Sequence, residues 1–238
     1  MHGIHGRLPR PVSGLLFGLE GVFCDDAVWT RWWFGLLGKL GVQADYSVFC
    51  RVWKSRYLET VHRGERSICD AFRQLMTSYG LTPAQVDELE LACRARWRKQ
   101  QRETRLLPGV KRTISRLAAV GMTMGVLCNS ECPGTVLRER FDELGLVEVF
   151  ASVISSLDLG QTKPRPLGYV RSARAMGLDP AEVAFVGHRA AELEGAVAAG
   201  MRTIAFNYES EAQADVFLGR FEQLTELFDR HDYYAAAG

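Results

Sequence analysis

Glu20 lies in a short turn, Gly18-Leu19-Glu20-Gly21, set into an apolar run that starts at Leu15 and resumes with Val22 and Phe23 before the acid Asp25. An apolar run broken by an acidic turn reads as a buried first strand that delivers a carboxylate to the loop at its carboxyl end. Open α/β sheets place their ligand sites there. Cys128 and Cys132 are spaced closely enough to raise a redox or zinc pair. The plainer reading is reduced thiols in a cytoplasmic protein, because Cys24, Cys50, Cys69 and Cys93 are scattered without paired spacing. The basic run Arg94-Ala95-Arg96-Trp97-Arg98-Lys99-Gln100-Gln101-Arg102 raises nucleic-acid contact. With a formal net charge of only +1 it reads instead as a solvated helix face with Trp97 turned inward. Trp29, Trp32 and Trp33 read as packing residues, and as a protein interface only if exposed.

The elements that must position these residues alternate. Residues 27–105 read as helices without convincing strands. Trp29, Trp32, Trp33, Leu36 and Leu37 fall at helical spacing, with Gly38 and Gly41 breaking the run. Ser67 caps a helix with an apolar stripe from Ile68 to Tyr79, and Gly80 ends it. Thr82-Pro83 opens another, with a Thr82-x-x-Gln85 capping box. From Leu107-Pro108-Gly109-Val110 onward, short apolar strands are expected at 122–127, 150–154, 183–187 and 202–206. Helices are expected between them at 136–144, 166–176 and 190–199, with a closing helix at 221–228. That alternation predicts an α/β fold built on a doubly wound parallel sheet.

At 238 residues the chain can hold one large domain, or a core with a smaller domain inserted into it. A hydrophobic content of 47% and a charged content of 24% are those of an ordinary globular protein. The first residues, Met1 to Arg7, lack the apolar centre of a secretion signal, and no run approaches membrane-spanning length. A cytoplasmic location and no membrane partner are therefore the expectations.

Four segments, in order, resemble the signatures of the haloacid dehalogenase (HAD) superfamily, in particular its helical-cap members such as phosphoglycolate phosphatase and β-phosphoglucomutase. They are Gly18-Leu19-Glu20-Gly21-Val22, Gly125-Val126-Leu127-Cys128-Asn129-Ser130, Gly160-Gln161-Thr162-Lys163-Pro164, and Phe185-Val186-Gly187-His188-Arg189-Ala190-Ala191-Glu192. The resemblance implies a Rossmannoid core over residues 11–25 and 106–232, with an all-helical cap over 26–105. In the family an Asp in the first signature attacks phosphorus, and a second Asp two residues on protonates the leaving group. A Ser or Thr in the second and a Lys in the third hold phosphate oxygens, and acids in the fourth help bind Mg²⁺. The corresponding positions here are Gly18, Glu20, Cys128, Lys163, His188 and Glu192.

Carried over in this way, the resemblance implies that no intact catalytic set survives. Gly18 offers no nucleophile. Glu20 carries an extra methylene, which moves its carboxyl by about 1 Å, a misplacement that can cost about 10²-fold. Cys128 is a poorer hydrogen-bond donor than Thr, and His188 offers nitrogen where Mg²⁺ prefers oxygen. The expectation is a HAD-like pseudoenzyme with a binding or regulatory role. It keeps a phosphate or anion site at Cys128, Asn129, Ser130 and Lys163 and needs no cofactor. Its partner would be a small phosphorylated ligand or another protein. Two alternatives stay open: a hydrolase of small phosphate esters working through a displaced acid such as Glu20, and a transition-metal-binding regulator drawing on Glu20, Cys128, His188 and Glu192.

Overall fold

The computed structural model describes residues 3–24, 27–103 and 106–228. The Trp29 and Trp97 side chains, and the end of the basic run, lie outside that description. The chain divides into two compact units, one of residues 1–24 and 106–238 and the other of residues 25–105.

The first unit is built on a seven-stranded sheet. Its strands are β1 (His5–Gly6), β2 (Gly14–Phe17), β3 (Thr123–Cys128), β4 (Ser152–Ser155), β5 (Val183–Gly187), β6 (Arg202–Phe206) and β7 (Val216–Leu218), in the spatial order β1-β7-β6-β5-β2-β3-β4. Every pairing is parallel except β1 with β7, which is antiparallel at one edge. The sheet is therefore doubly wound and mostly parallel, with two more strands than the five legible in the sequence. β1 and β7 are two and three residues long, too short to show any period.

β2 sits centrally, between β3 and β5. Its side chains divide by the period of two that a pleated strand imposes. Leu15 and Phe17 pack with Ala184, Val186, Ile114, Phe221 and Phe228 on one face, while Leu16 packs with Leu127, Tyr169, Phe185 and Leu193 on the other. Covered on both faces, β2 must be apolar throughout, and all four of its residues are buried. Helices Val110–Ala119, Gly134–Glu143, Pro166–Ala175 and Ala190–Ala198 lie between the parallel strands, as crossover connections require.

The described elements of the second unit are all helices. Ser67 caps Ile68–Ser78, its side chain accepting from Asp70 N. Thr82 N donates to Gln85 Oε1 at 2.9 Å as Pro83–Glu103 begins. Helix Ala27–Lys39 passes through Gly38, and the chain turns only at Gly41, where φ is +80°. Residues 46–62 lie in the stretch whose sequence reads as helical without marking individual helices. They form Tyr46–Val52, a wider π-type stretch Trp53–Leu58, and Glu59–His62. Trp33 is buried among Phe49, Trp53 and Phe72, the packing role rather than the interface role. Arg94 pairs with Glu90, and the Arg96 guanidinium lies 5.8 Å from the Trp32 ring centroid. Among the described residues, no helix is long and apolar enough to cross a membrane.

Candidate functional site

The carboxyl ends of β2, β3 and β5 bring Gly18, Cys128 and His188 to one end of the sheet. Gly18 continues the ladder beyond β2, its N–H donating to the Val186 carbonyl at 2.9 Å. A Cβ added to Gly18 would stand 3.5 Å from that carbonyl oxygen, 3.6 Å from Val22 Cγ2 and 3.7 Å from Lys163 Nζ. These are ordinary contacts, and Gly18 is not among the glycines with positive φ. The backbone therefore does not require glycine here, and a side chain at 18 would face the lysine.

Lys163 is fixed through its backbone by Asn129. Lys163 N donates to Asn129 Oδ1 at 2.9 Å, and Asn129 Nδ2 donates to the Lys163 carbonyl at 3.4 Å. Asn129 thus clamps one loop to the other. Ser130 is similarly engaged: its hydroxyl accepts from Cys132 N at 3.0 Å, and its own N–H donates to Ser156 Oγ at 3.1 Å. Cys128 is buried, and its thiol is pushed up to about 12 by burial, against the opposing pull of Lys163. It is a neutral thiol at any physiological pH. It makes no disulfide with Cys132.

The Lys163 ammonium, 4% exposed, meets Glu192 Oε1 at 2.9 Å, and the Phe185 ring lies 5.7 Å away. Glu192 comes from the first turn of Ala190–Ala198, and Tyr169 holds that turn by donating its hydroxyl to the Glu192 carbonyl at 2.7 Å. Burial pushes the Glu192 carboxyl up, but Lys163, His188 and Arg189 together hold it below the ordinary carboxylate range. His188 Nδ1 lies 3.6 Å from Glu192 Oε2, beyond hydrogen-bond reach, and among the described residues both atoms are buried without a hydrogen-bond partner. Burial, helped by Arg189 and Lys163, holds the imidazole below its usual range despite Glu192. His188 is therefore neutral at pH 7. Its ring also covers Gly21, where a Cβ would fall 2.6 Å from His188 Cδ2 and where φ is +69°.

Glu20 is one-third exposed, and its Oε2 is 3.4 Å from Arg189 Nη2. Arg189 is the residue that sequence reasoning missed, although it sits inside the fourth signature; its length lets it reach back to the first loop. The cluster now balances its own charge, Lys163 against Glu192 and Arg189 against Glu20. Both titrating groups of the buried core have folded pKa values below their unfolded ones. The unfolded chain then takes up more protons, so His188 and Glu192 favour the fold above those ordinary values and stop doing so as pH falls. For His188 the loss starts as pH drops through 6.5. Thermal unfolding scanned from pH 7.5 to 5.5 is expected to show a falling Tm, with a shallower fall in His188→Gln; equal slopes would remove His188 from the account.

A mostly parallel sheet with its polar cluster at the strand ends, fed by loops after β2, β3 and β5, is the frame of the haloacid dehalogenase-like hydrolases. That family's model matches residues 12–200, and the chain belongs to it. Phosphoglycolate phosphatase of Pectobacterium atrosepticum is 30% identical over 125 residues, 50% of this chain and 53% of that protein. Its Escherichia coli K12 counterpart is 30% identical over 105 residues, 44% of this chain and 41% of that one. The chain thus spans about half the length of the curated relatives it matches. Among solved structures, the 2-haloacid dehalogenase of Pseudomonas syringae pv. tomato superposes with a TM-score of 0.61 at 21% identity, covering 92% of this chain and 99% of that one. A HAD family hydrolase of Deinococcus radiodurans, solved with bound phosphate and sodium, gives 0.64 at 17% identity, covering 92% and 97%. These two show the fold.

The family normally uses Mg²⁺, and the residues present do not suit it. Mg²⁺ demands near-octahedral oxygen ligands. Gly18 supplies none, one Glu192 oxygen is bound to an ammonium, and the neighbouring buried atom is an imidazole nitrogen. Among the described residues no group of three or more His, Cys, Asp or Glu is placed to hold a metal ion.

Proposed function

We propose that this chain is a non-hydrolysing member of the family, which binds a small anionic ligand at the ends of β2, β3 and β5 without covalent turnover. The observation that carries the reading is Gly18: the position from which attack on phosphorus would come has no side chain, yet it faces a buried lysine amine across 3.7 Å from the Cβ position. A covalent route needs a nucleophile there, and losing one costs on the order of 10⁶ in turnover in the subtilisin series. Glu20 stands two residues on, and its Oε2 lies 3.4 Å from Arg189 Nη2. The likeness to phosphoglycolate phosphatases supports phosphate esters as the ligands to try first. The helical unit of residues 25–105 would act as the cap that selects among them.

Phosphoglycolate and other small phosphomonoesters, assayed with and without Mg²⁺, are expected to give no turnover above the blank and no trapped phosphoenzyme. Mg²⁺ alone is expected to leave Tm unchanged. Turnover abolished by Glu20→Ala would overturn the reading in favour of a hydrolase using that acid. A clear rise of Tm with Mg²⁺ would show that the carboxylates still converge on a cation.

A further inference from the structure

A second concave site lies at the carboxyl ends of β6 and β7, within the first unit, and shares no residue with the cluster around Lys163. Its volume of about 620 Å³ is that of a small-molecule site. Among the described residues its walls are largely aromatic. Phe206 ends β6 and meets Phe221 edge-to-face at 5.3 Å between centroids, and Phe217 of β7 meets Tyr208 edge-to-face at 5.0 Å. Phe206 and Phe217 are half-buried, and Tyr208 is 44% exposed, so these rings still offer surface to a further ring. Between them Asn207 holds φ at +50°, the one positive value at a non-glycine among the described residues, and its Nδ2 donates to the Gly21 carbonyl at 3.1 Å. A left-handed backbone at such a residue persists where its surroundings fix it, and ligand clamps are one such setting. The turn that returns Tyr208 to Phe217 is therefore a held one.

We propose that this cavity binds a small planar aromatic carboxylate, its ring among Phe206, Tyr208 and Phe217 and its carboxylate on Arg220. The charges on the wall set the sign. Glu222 is turned against Gly109, where a Cβ would overlap its Oε1, at the start of helix Val110–Ala119, whose N-terminal N–H groups favour an anion. The Arg220 side chain is 63% exposed and meets Glu226 Oε1 at 3.5 Å, longer than a charge-assisted hydrogen bond. A ligand carboxylate can take the guanidinium in the bidentate geometry that Glu226 does not. An aliphatic acid of similar size loses the ring contacts, and a neutral aromatic loses the charge. This site goes beyond the binding of phosphate esters at β2, β3 and β5, and neither depends on the other.

The experiment titrates 2-naphthoate into the ¹⁵N-labelled full chain at constant ionic strength. Saturable shifts of the Asn207, Phe217 and Gly219 amide signals are expected, with a Kd of about 1 mM or tighter for a ligand of this size. On the same chain, 2-naphthamide and cyclohexanecarboxylate are each expected to bind about fivefold more weakly, one for want of the charge and the other for want of the ring. Arg220→Gln and Tyr208→Ala, both at exposed positions, are expected to weaken naphthoate by about the same factor. The two comparison ligands keep the test decisive should either variant fail to fold. Lack of saturation, equal affinity for all three ligands, affinity unchanged in Arg220→Gln, or shifts centred on Cys128 and Lys163 instead of Gly219 would overturn the proposal. Phosphomonoester turnover and binding are read separately, so failure of the non-hydrolysing reading would not be mistaken for failure of this one.

Discussion

Lys163→Met is expected to lower the unfolding free energy by about 3–5 kcal/mol, the cost of removing one partner of a buried ion pair and leaving the other charged. The pair qualifies because both side chains are at least nine-tenths buried, 4% and 10% exposed, with Nζ and Oε1 2.9 Å apart. Glu192 would keep His188 Nδ1 at 3.6 Å as a nearby group, but that imidazole is held neutral and offers little compensation. Adding Glu192→Met should return most of the loss, since two apolar side chains of similar volume replace a buried pair at little net cost. Urea unfolding of the parent, both single variants and the double variant closes the cycle. A loss under about 1 kcal/mol for Lys163→Met, or a double variant no better than the single, would mean that water reaches the pair and that it is not a buried unit.

The same pair shows where sequence reasoning stopped. Strand positions were legible because buried parallel strands are short apolar runs between helices: residues 183–187 and 202–206 coincide with β5 and β6. The caps at Ser67 and Thr82 were legible because they are local, fixed by residues three apart. The first strand was legible as a run, and its end was marked by the acidic turn. What failed was non-local or too short to carry a pattern. The β1–β7 edge joins residues more than two hundred positions apart through two ladder pairs, and nothing in His5-Gly6 announces it.

At the site, the partners of the side chains were not legible in the sequence. Lys163 was marked as an anion contact, and its pairing with Glu192 depends on how a helix lies against a loop 29 residues earlier in the chain. The Asn129 amide fits the Lys163 backbone as both donor and acceptor, a pairing between residues 34 apart that no local pattern announces. A carboxamide that can serve both a free N–H and a C=O across two loops will do so in preference to waiting for a ligand, because buried backbone groups left unpaired are costly. Charge arithmetic over Glu20, Lys163, Arg189 and Glu192 would have indicated a self-balancing cluster, but only once their convergence was known.

Gly195→Ala supplies the second large effect, and it tests what holds Lys163 in place. Gly195 lies in Ala190–Ala198, where alanine should by propensity stabilise the helix by about 1 kcal/mol. A Cβ there would fall 2.3 Å from the Pro164 carbonyl oxygen and 2.9 Å from its carbon. Those are backbone atoms of the loop that carries Lys163, so the clash cannot be relieved by turning a side chain. Overpacking of this kind costs about 1–3 kcal/mol. The helix or the loop must move, and Lys163 moves relative to Glu192 in either case. The substitution is therefore expected to be destabilising by up to about 2 kcal/mol net of the propensity gain. Gly35→Ala in Ala27–Lys39 provides the contrast, because a Cβ there meets nothing within 4 Å and the residue is exposed. That variant should be more stable than the parent by about 0.5–1 kcal/mol. Opposite signs in one chemical denaturation series would establish that helix Ala190–Ala198 is pressed onto the Lys163–Pro164 loop closely enough to admit only hydrogen. Equal gains in both variants would show a looser seat, and the clamp on Lys163 would then rest on Asn129 alone.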